Sequence, residues 1–75
     1  MRDSFFVAWV YEGVPETAVL VNGCQSIEAA ARWAYEYDLP RWVTDDTKLI
    51  VYQGNPKNGR KTVFTVKQLQ ETAVS

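Results

Sequence analysis

The sequence predicts a small α+β domain of the ββαββ type, in which one helix packs on one face of a four-stranded antiparallel sheet. Three observations predict this fold. Aromatic and β-branched residues are concentrated in four short segments, as is typical of strands. One stretch between the second and third segments has its apolar residues at helical spacing. Turn-favouring residues separate the segments, and the length predicts a single domain over residues 1–75.

The first two strands are predicted to form a hairpin. The run from Phe5 to Tyr11 is the strongest strand signal, because it is aromatic and β-branched and contains no glycine or proline. A turn follows at Gly13 and Pro15, since glycine allows unusual backbone angles and proline cannot continue a hydrogen-bonded ladder. Residues 17–22 are then the second strand.

One helix is predicted over residues 27–37. Ser26 suits the N-cap position, because its hydroxyl can accept a hydrogen bond from the first turn, and Pro40 stops the helix. The predicted inner face consists of Ile27, Ala30, Ala31, Ala34 and Tyr37. Because alanine dominates this face, we expect the helix to lie close to the sheet, with Trp33 and Tyr35 covering its edges.

The remaining strands are predicted at residues 48–53 and 61–66, with a loop from Gly54 to Arg60 between them. Antiparallel pairing of the third strand with the first gives the spatial order second, first, third, fourth. A short C-terminal helix is also predicted, because Thr65 and Gln68 have the spacing of a capping box.

The single cysteine indicates a reducing, cytoplasmic setting, and the charge asymmetry between the two halves of the chain can orient the protein toward a charged partner. The net charge is −1, but three basic and eight acidic residues give residues 1–47 a charge of −5, while five basic and one acidic give residues 48–75 a charge of +4. The one cysteine, Cys24, cannot form an intramolecular disulfide and is expected to be a small, buried or half-buried hydrophobic residue at a loop. We expect no membrane segment, because no apolar run approaches the roughly 20 residues of a span and no signal-peptide pattern is present.

The sequence predicts neither catalysis nor a cofactor. It contains no histidine, which removes the commonest general base and the commonest metal ligand, and a single cysteine cannot build a zinc site. Asp45 and Asp46 are adjacent, as is typical of a turn rather than of a metal site. We therefore expect no enzyme activity, no metal and no cofactor.

Both faces of the predicted sheet are apolar, whereas a sheet with one solvated face should alternate apolar and polar residues. The second face needs a cover, and there are three candidates for it: the C-terminal segment with the connector at Trp42, a second copy of the chain, or a target protein. If the face is open, Trp9, Tyr11 and Tyr52 are the predicted protein-binding anchors, because such rings combine large contact area with a polar group.

Charged residues are predicted to orient the partner. Glu28 and Glu36 lie on the outer face of the predicted helix and could dock on a basic surface. The alternative is nucleic-acid binding through Lys57, Arg60 and Lys61, the basic cluster of the last hairpin. Nucleic acid is the less favoured partner, because a dedicated nucleic-acid binder usually has a net basic domain.

The order of elements resembles that of small phage host-takeover inhibitors. Residues 6–10 read FVAWV, a second strand follows, and residues 26–30 (SIEAA) open a helix that ends in Tyr35, Glu36 and Tyr37 before the next strand. The RNA-polymerase inhibitor of T-odd coliphages has a similar order, and several anti-CRISPR proteins are similar in size and acidity. Antitoxins with a partial double-stranded-RNA-binding-like fold share the ββα opening. The resemblance covers residues 5–53, and the third strand here lacks an arginine pair found in the polymerase inhibitor.

The resemblance implies a phage-type interaction protein that inhibits or modulates a larger host protein or ribonucleoprotein complex in the host cytoplasm. The alternative from the basic hairpin is a small nucleic-acid-binding protein or antitoxin. A third alternative is a homodimeric module, in which a second copy covers the apolar face.

Overall fold

Five β-strands and two α-helices build the fold of a computed structural model that describes residues 4–54 and 59–74. The strands are β1 (Phe5–Tyr11), β2 (Val14–Pro15), β3 (Val19–Val21), β4 (Lys48–Gln53) and β5 (Arg60–Thr65), and the helices are α1 (Ile27–Tyr37) and α2 (Val66–Val74). The α+β class with an antiparallel sheet is as predicted, but the sheet has five strands rather than four. The predicted C-terminal helix also packs on the core, so the fold has two packed helices rather than a single one.

All strand pairs in the sheet are antiparallel. β4 lies between β1 and β5, while β2 and β3 both pair with β1. The predicted second strand over residues 17–22 is therefore corrected to a broken edge strand. β2 pairs with the end of β1, and β3 pairs with its beginning. A proline inside this edge explains part of the break, because Pro15 has no N–H to donate. The Glu16 N–H instead donates to the Trp9 carbonyl at 2.8 Å.

Glu12 and Gly13 form the two-residue turn between β1 and β2. Both have positive φ, 51° for Glu12 and 81° for Gly13. This backbone matches a type I′ turn, whose twist suits a tight hairpin and which requires left-handed angles at both central positions. Glycine adopts such angles freely, whereas glutamate does so at a cost.

The substitution Glu12→Asn is expected to raise the free energy of unfolding by about 0.5–1 kcal/mol, because asparagine tolerates the left-handed region and Asn-Gly is the favoured pair in this turn. Urea denaturation followed by circular dichroism measures the change. Glu16→Asn is a matched control, since Glu16 is also exposed but is not among the residues with positive φ. An equal gain from both substitutions would contradict the assignment of the turn.

Helix α1 begins and ends as predicted. The Ser26 Oγ accepts a hydrogen bond from the Ala29 N–H at 3.1 Å, and Asp38 closes the other end by donating its N–H to the Ala34 carbonyl at 2.9 Å. Ala30, Ala31 and Ala34 are fully buried, so the helix lies close to the sheet as expected.

Three aromatic residues of α1 test the predicted helix faces. Trp33 and Tyr35 are half-buried and pack against the core, which confirms their place at the helix edges. The prediction that Tyr37 belongs to the inner face is wrong, because this residue is 73% exposed. Tyr37 is the last residue of the helix, and its ring packs against Trp33 with centroids 5.8 Å apart.

Helix α2 follows β5 without a loop. The Thr65 N–H donates to the Gln68 Oε1 at 2.9 Å, and the Gln68 N–H donates to the Thr65 Oγ1 at 3.2 Å, which confirms the predicted capping box. The fourth strand consequently ends at Thr65 rather than at residue 66. Val66 and Leu69 are buried in the same core as α1, so both helices lie on one side of the sheet.

The core lies between this side of the sheet and the two helices. It contains Phe5, Val7, Trp9, Val21, Ala30, Ala31, Ala34, Leu49, Val51, Val66 and Leu69. Cys24 is half-buried and packs against this core, as expected for a loop cysteine. Within residues 4–54 and 59–74, neither helix is long and apolar enough to cross a membrane.

Candidate functional site

The strand register decides which residues face away from the helices. Residues directly opposite each other share a face, and successive residues alternate. Trp9 lies opposite Leu49, and both belong to the core. The residues between core positions therefore form the other surface, which we call the open face. It consists of Phe6, Ala8, Val10, Pro15, Leu20, Lys48, Ile50, Tyr52, Lys61, Val63 and Thr65.

Among the described residues, no element covers the open face. Helix α2 does not cover it, because Val66 and Leu69 pack with α1 on the opposite side of the sheet. The connector does not cover it either, because the Trp42 ring packs against Tyr11, with centroids 4.8 Å apart, and Tyr11 shares the face of Trp9. The interpretation in which the tail and the Trp42 connector cover the second face is therefore wrong for this part of the chain.

The open face is apolar at its centre. Leu20 is 47% and Val63 50% exposed at its two sides, while Phe6, Val10, Ile50 and Tyr52 between them are half-buried. Ala8 is only 2% exposed, because its methyl group lies among these larger side chains. A depression of about 340 Å³ is lined by Val10, Gly13, Pro15, Lys48, Ile50 and Val63. Lysines Lys48 and Lys61 are the only charged residues that the described register places on this face.

The three predicted aromatic anchors do not share a surface. Tyr52 lies on the open face, directly opposite Phe6. Tyr11 is exposed, but it lies on the helix side with Trp42. The placement of Trp9 on the open face is wrong, because Trp9 is 4% exposed and its indole N–H donates to the Asp38 carbonyl at 2.9 Å. Trp9 is therefore a core residue that ties β1 to the end of α1.

The predicted charged residues are also divided between surfaces. Glu28 and Glu36 are exposed on α1, across the sheet from the open face. Lys61 lies opposite Tyr52 on the open face, whereas Arg60 lies opposite Gln53 and so points to the helix side. Lys57 lies outside the described residues. The sequence reading missed the aliphatic members of the open face, although Lys48 and Lys61 alternate in phase with them and mark the outward side of both strands.

A second concave surface lies on the helix side, between the end of α1, the connector after it and the broken edge strand. This aromatic cleft has a volume of about 390 Å³ and is lined by Val7, Trp9, Glu16, Thr17, Val19, Tyr37, Asp38, Leu39, Pro40 and Trp42. Four exposed large apolar side chains of the described residues line it, those of Val19, Tyr37, Leu39 and Trp42. The cleft therefore joins aromatic rings to two carboxylates, Glu16 and Asp38.

Neither surface has the composition of a metal centre. In the described part of the chain, no three histidine, cysteine, aspartate or glutamate residues are grouped so that they could hold a metal ion. Comparisons of this chain with protein-family models, with curated proteins and with solved structures found no match.

Proposed function

We propose that this chain is a small, non-enzymatic interaction protein that inhibits or modulates a larger host protein or nucleoprotein machine by binding to its surface through the open face. The observation that supports this proposal is the uncovered apolar centre of the sheet. Contiguous apolar patches with polar rims mark interaction surfaces. The solvated face of a sheet, by contrast, ordinarily consists of polar residues, which alternate along each strand with the apolar residues of the core face. As in the phage inhibitors that the sequence resembles, the target would be met in the host cytoplasm.

The shape of the open face fits a protein partner. Its aliphatic residues Val10, Ile50 and Val63 border a shallow depression, and burial of such groups is worth about 25 cal/mol for each Å² removed from water. Tyr52 adds a ring with a hydroxyl group that can meet a polar partner group. In this arrangement Leu20 and Val63, half-exposed in the free protein, become buried when the partner binds.

A charge placed in this contact is expected to weaken partner binding at least about tenfold, because an unpaired carboxylate would have to be buried. Val63→Asp and Leu20→Asp place that charge at opposite sides of the open face. Both side chains are about half exposed, so both variants are expected to fold. Gln25→Asp is the matched control, because Gln25 is exposed just before the N-cap of α1, where a negative charge is tolerated.

The measurement is affinity capture from nuclease-treated bacterial lysate, with circular dichroism of each variant as the folding control. A stoichiometric partner that the wild type and Gln25→Asp retain, and that both open-face variants lose, would support the proposal. Retention of the same partner by all the variants would contradict it. Sedimentation of the purified protein distinguishes a partner from a second copy, since a dimer held by the open face would dissociate in the same two variants.

Nucleic-acid binding is the second candidate function, and one row of the open face favours it. Phe6, Tyr52 and Lys61 lie side by side on β1, β4 and β5, so two rings and a cation share one surface. Aromatic residues on a sheet can stack with the bases of a single strand while a lysine contacts phosphate. This function predicts capture only without nuclease, steep loss of affinity with salt, and weakening by Lys61→Ala.

A further inference from the structure

The aromatic cleft has the composition of a site for a cation. The exposed rings of Tyr37 and Trp42 line it, together with the buried Trp9 and the acidic residues Glu16 and Asp38. No lysine or arginine is among its described lining residues. The faces of aromatic rings are electron-rich and attract cations, and carboxylates add to the same field. A positively charged group is therefore the ligand that this lining favours.

All three rings are held by contacts within the protein. Trp42 meets Tyr11 edge to face at 4.8 Å and 71°, and Tyr37 packs against Trp33 at 5.8 Å. The Trp9 indole is fixed by its hydrogen bond to the Asp38 carbonyl. Rings that are already ordered lose little conformational entropy when a ligand binds, which favours affinity.

We propose that the aromatic cleft binds an arginine side chain presented by a protein segment. A guanidinium group is planar and weakly hydrated, stacks on aromatic faces and pairs with a carboxylate through two parallel hydrogen bonds, whereas an ammonium group is a compact, strongly hydrated point charge. The volume of about 390 Å³ is in the range of ligand-binding clefts, and the exposed Leu39 at its border offers apolar contact to the neighbouring residues of that segment. This site lies across the sheet from the open face and does not depend on the function proposed for that face.

The test is an NMR titration of the isotope-labelled protein with the five-residue peptide Gly-Ser-Arg-Ser-Gly. The matched control peptide has citrulline in place of arginine, which keeps the shape of the side chain and removes its charge. We expect shifts of the indole N–H signals of Trp9 and Trp42, with a dissociation constant on the order of millimolar. The citrulline peptide is expected to bind about three- to tenfold more weakly.

Variants locate the site. Trp42→Leu and Asp38→Asn are each expected to weaken binding of the arginine peptide about three- to tenfold, because each removes one attractive partner of the cation. Val63→Asp changes the open face and is expected to leave this binding unchanged. The amide spectrum of each variant shows whether it is folded, so loss of structure is distinguished from loss of the ligand contact.

Three outcomes would overturn the assignment. Equal binding of the citrulline peptide would show that charge is not recognised, and shifts confined to the open face would place the contact elsewhere. Absence of any shift up to about 10 mM peptide, well above the millimolar dissociation constant expected, would exclude the site. None of these results bears on the capture experiment with the open-face variants, so the two proposals fail separately.

Discussion

Replacing Trp9 with alanine is expected to destabilise the protein by about 3–5 kcal/mol, the usual cost of removing a large buried aromatic side chain. Trp9 is 4% exposed and belongs to the core between the sheet and the helices, and its indole N–H bonds to the Asp38 carbonyl. A domain of 75 residues is expected to have a total stability of about 4–11 kcal/mol. The variant should therefore lose much of its stability, which urea denaturation followed by circular dichroism measures.

Trp9→Phe separates the hydrogen bond from the packing. Phenylalanine keeps most of the ring but leaves the Asp38 carbonyl without this donor, so we expect a smaller loss of about 1–3 kcal/mol. Tyr11→Ala is a second control, since Tyr11 is exposed on the same strand and the same face. A Trp9→Ala protein with wild-type stability and no partner binding would show instead that Trp9 is a surface anchor.

The neighbouring residues Leu49 and Ile50 are expected to respond very differently to alanine. Leu49 is fully buried against the helices, so Leu49→Ala should cost about 2–5 kcal/mol. Ile50 is the next residue of β4, but it lies on the open face and is only half-buried. Ile50→Ala should cost about 1–2 kcal/mol, because only part of its apolar surface is removed from water in the free protein.

This pair tests the assignment of the two sheet faces. The measurement is the midpoint and slope of urea denaturation for both variants, since a change of midpoint at constant slope reports stability alone. Similar losses of several kcal/mol from both substitutions would mean that another element or a second copy covers the open face. A partner that binds the open face should raise the free energy of unfolding of the wild type more than that of Ile50→Ala. A ligand of the folded state stabilises it more when it binds more tightly, and the variant offers this partner less apolar surface.

Local signals predicted the elements of this fold well. Helix α1 has the predicted bounds, because Ser26 at its start and Pro40 after its end act through the chain immediately beside them. The capping box at Thr65 and Gln68 likewise predicted α2. The break of the second strand was missed, because it depends on how the segment around Pro15 pairs with β1 rather than on its own composition.

The side on which the helices pack could not be read from apolar residues alone. Both alternating sets of β1 are apolar, so Phe5, Val7 and Trp9 are no more core-like in sequence than Phe6, Ala8 and Val10. The cross-strand register resolves this, because Phe6 and Ala8 share a face with the residues of β4 that are in phase with Lys48. The predicted anchors mixed the two faces for this reason, and only Tyr52 of the three lies on the open one.

The broken edge strand also affects the tendency of the protein to aggregate. An exposed strand edge has unpaired N–H and C=O groups that can recruit strands from other molecules. Here β2 has two residues and β3 three, and Pro15 offers no N–H, so a strand added along this edge would find no continuous template. At the other edge, β5 begins with Arg60 and Lys61, whose like charges repel a second copy of the same strand. The protein can therefore expose an apolar face while neither edge favours growth into fibres.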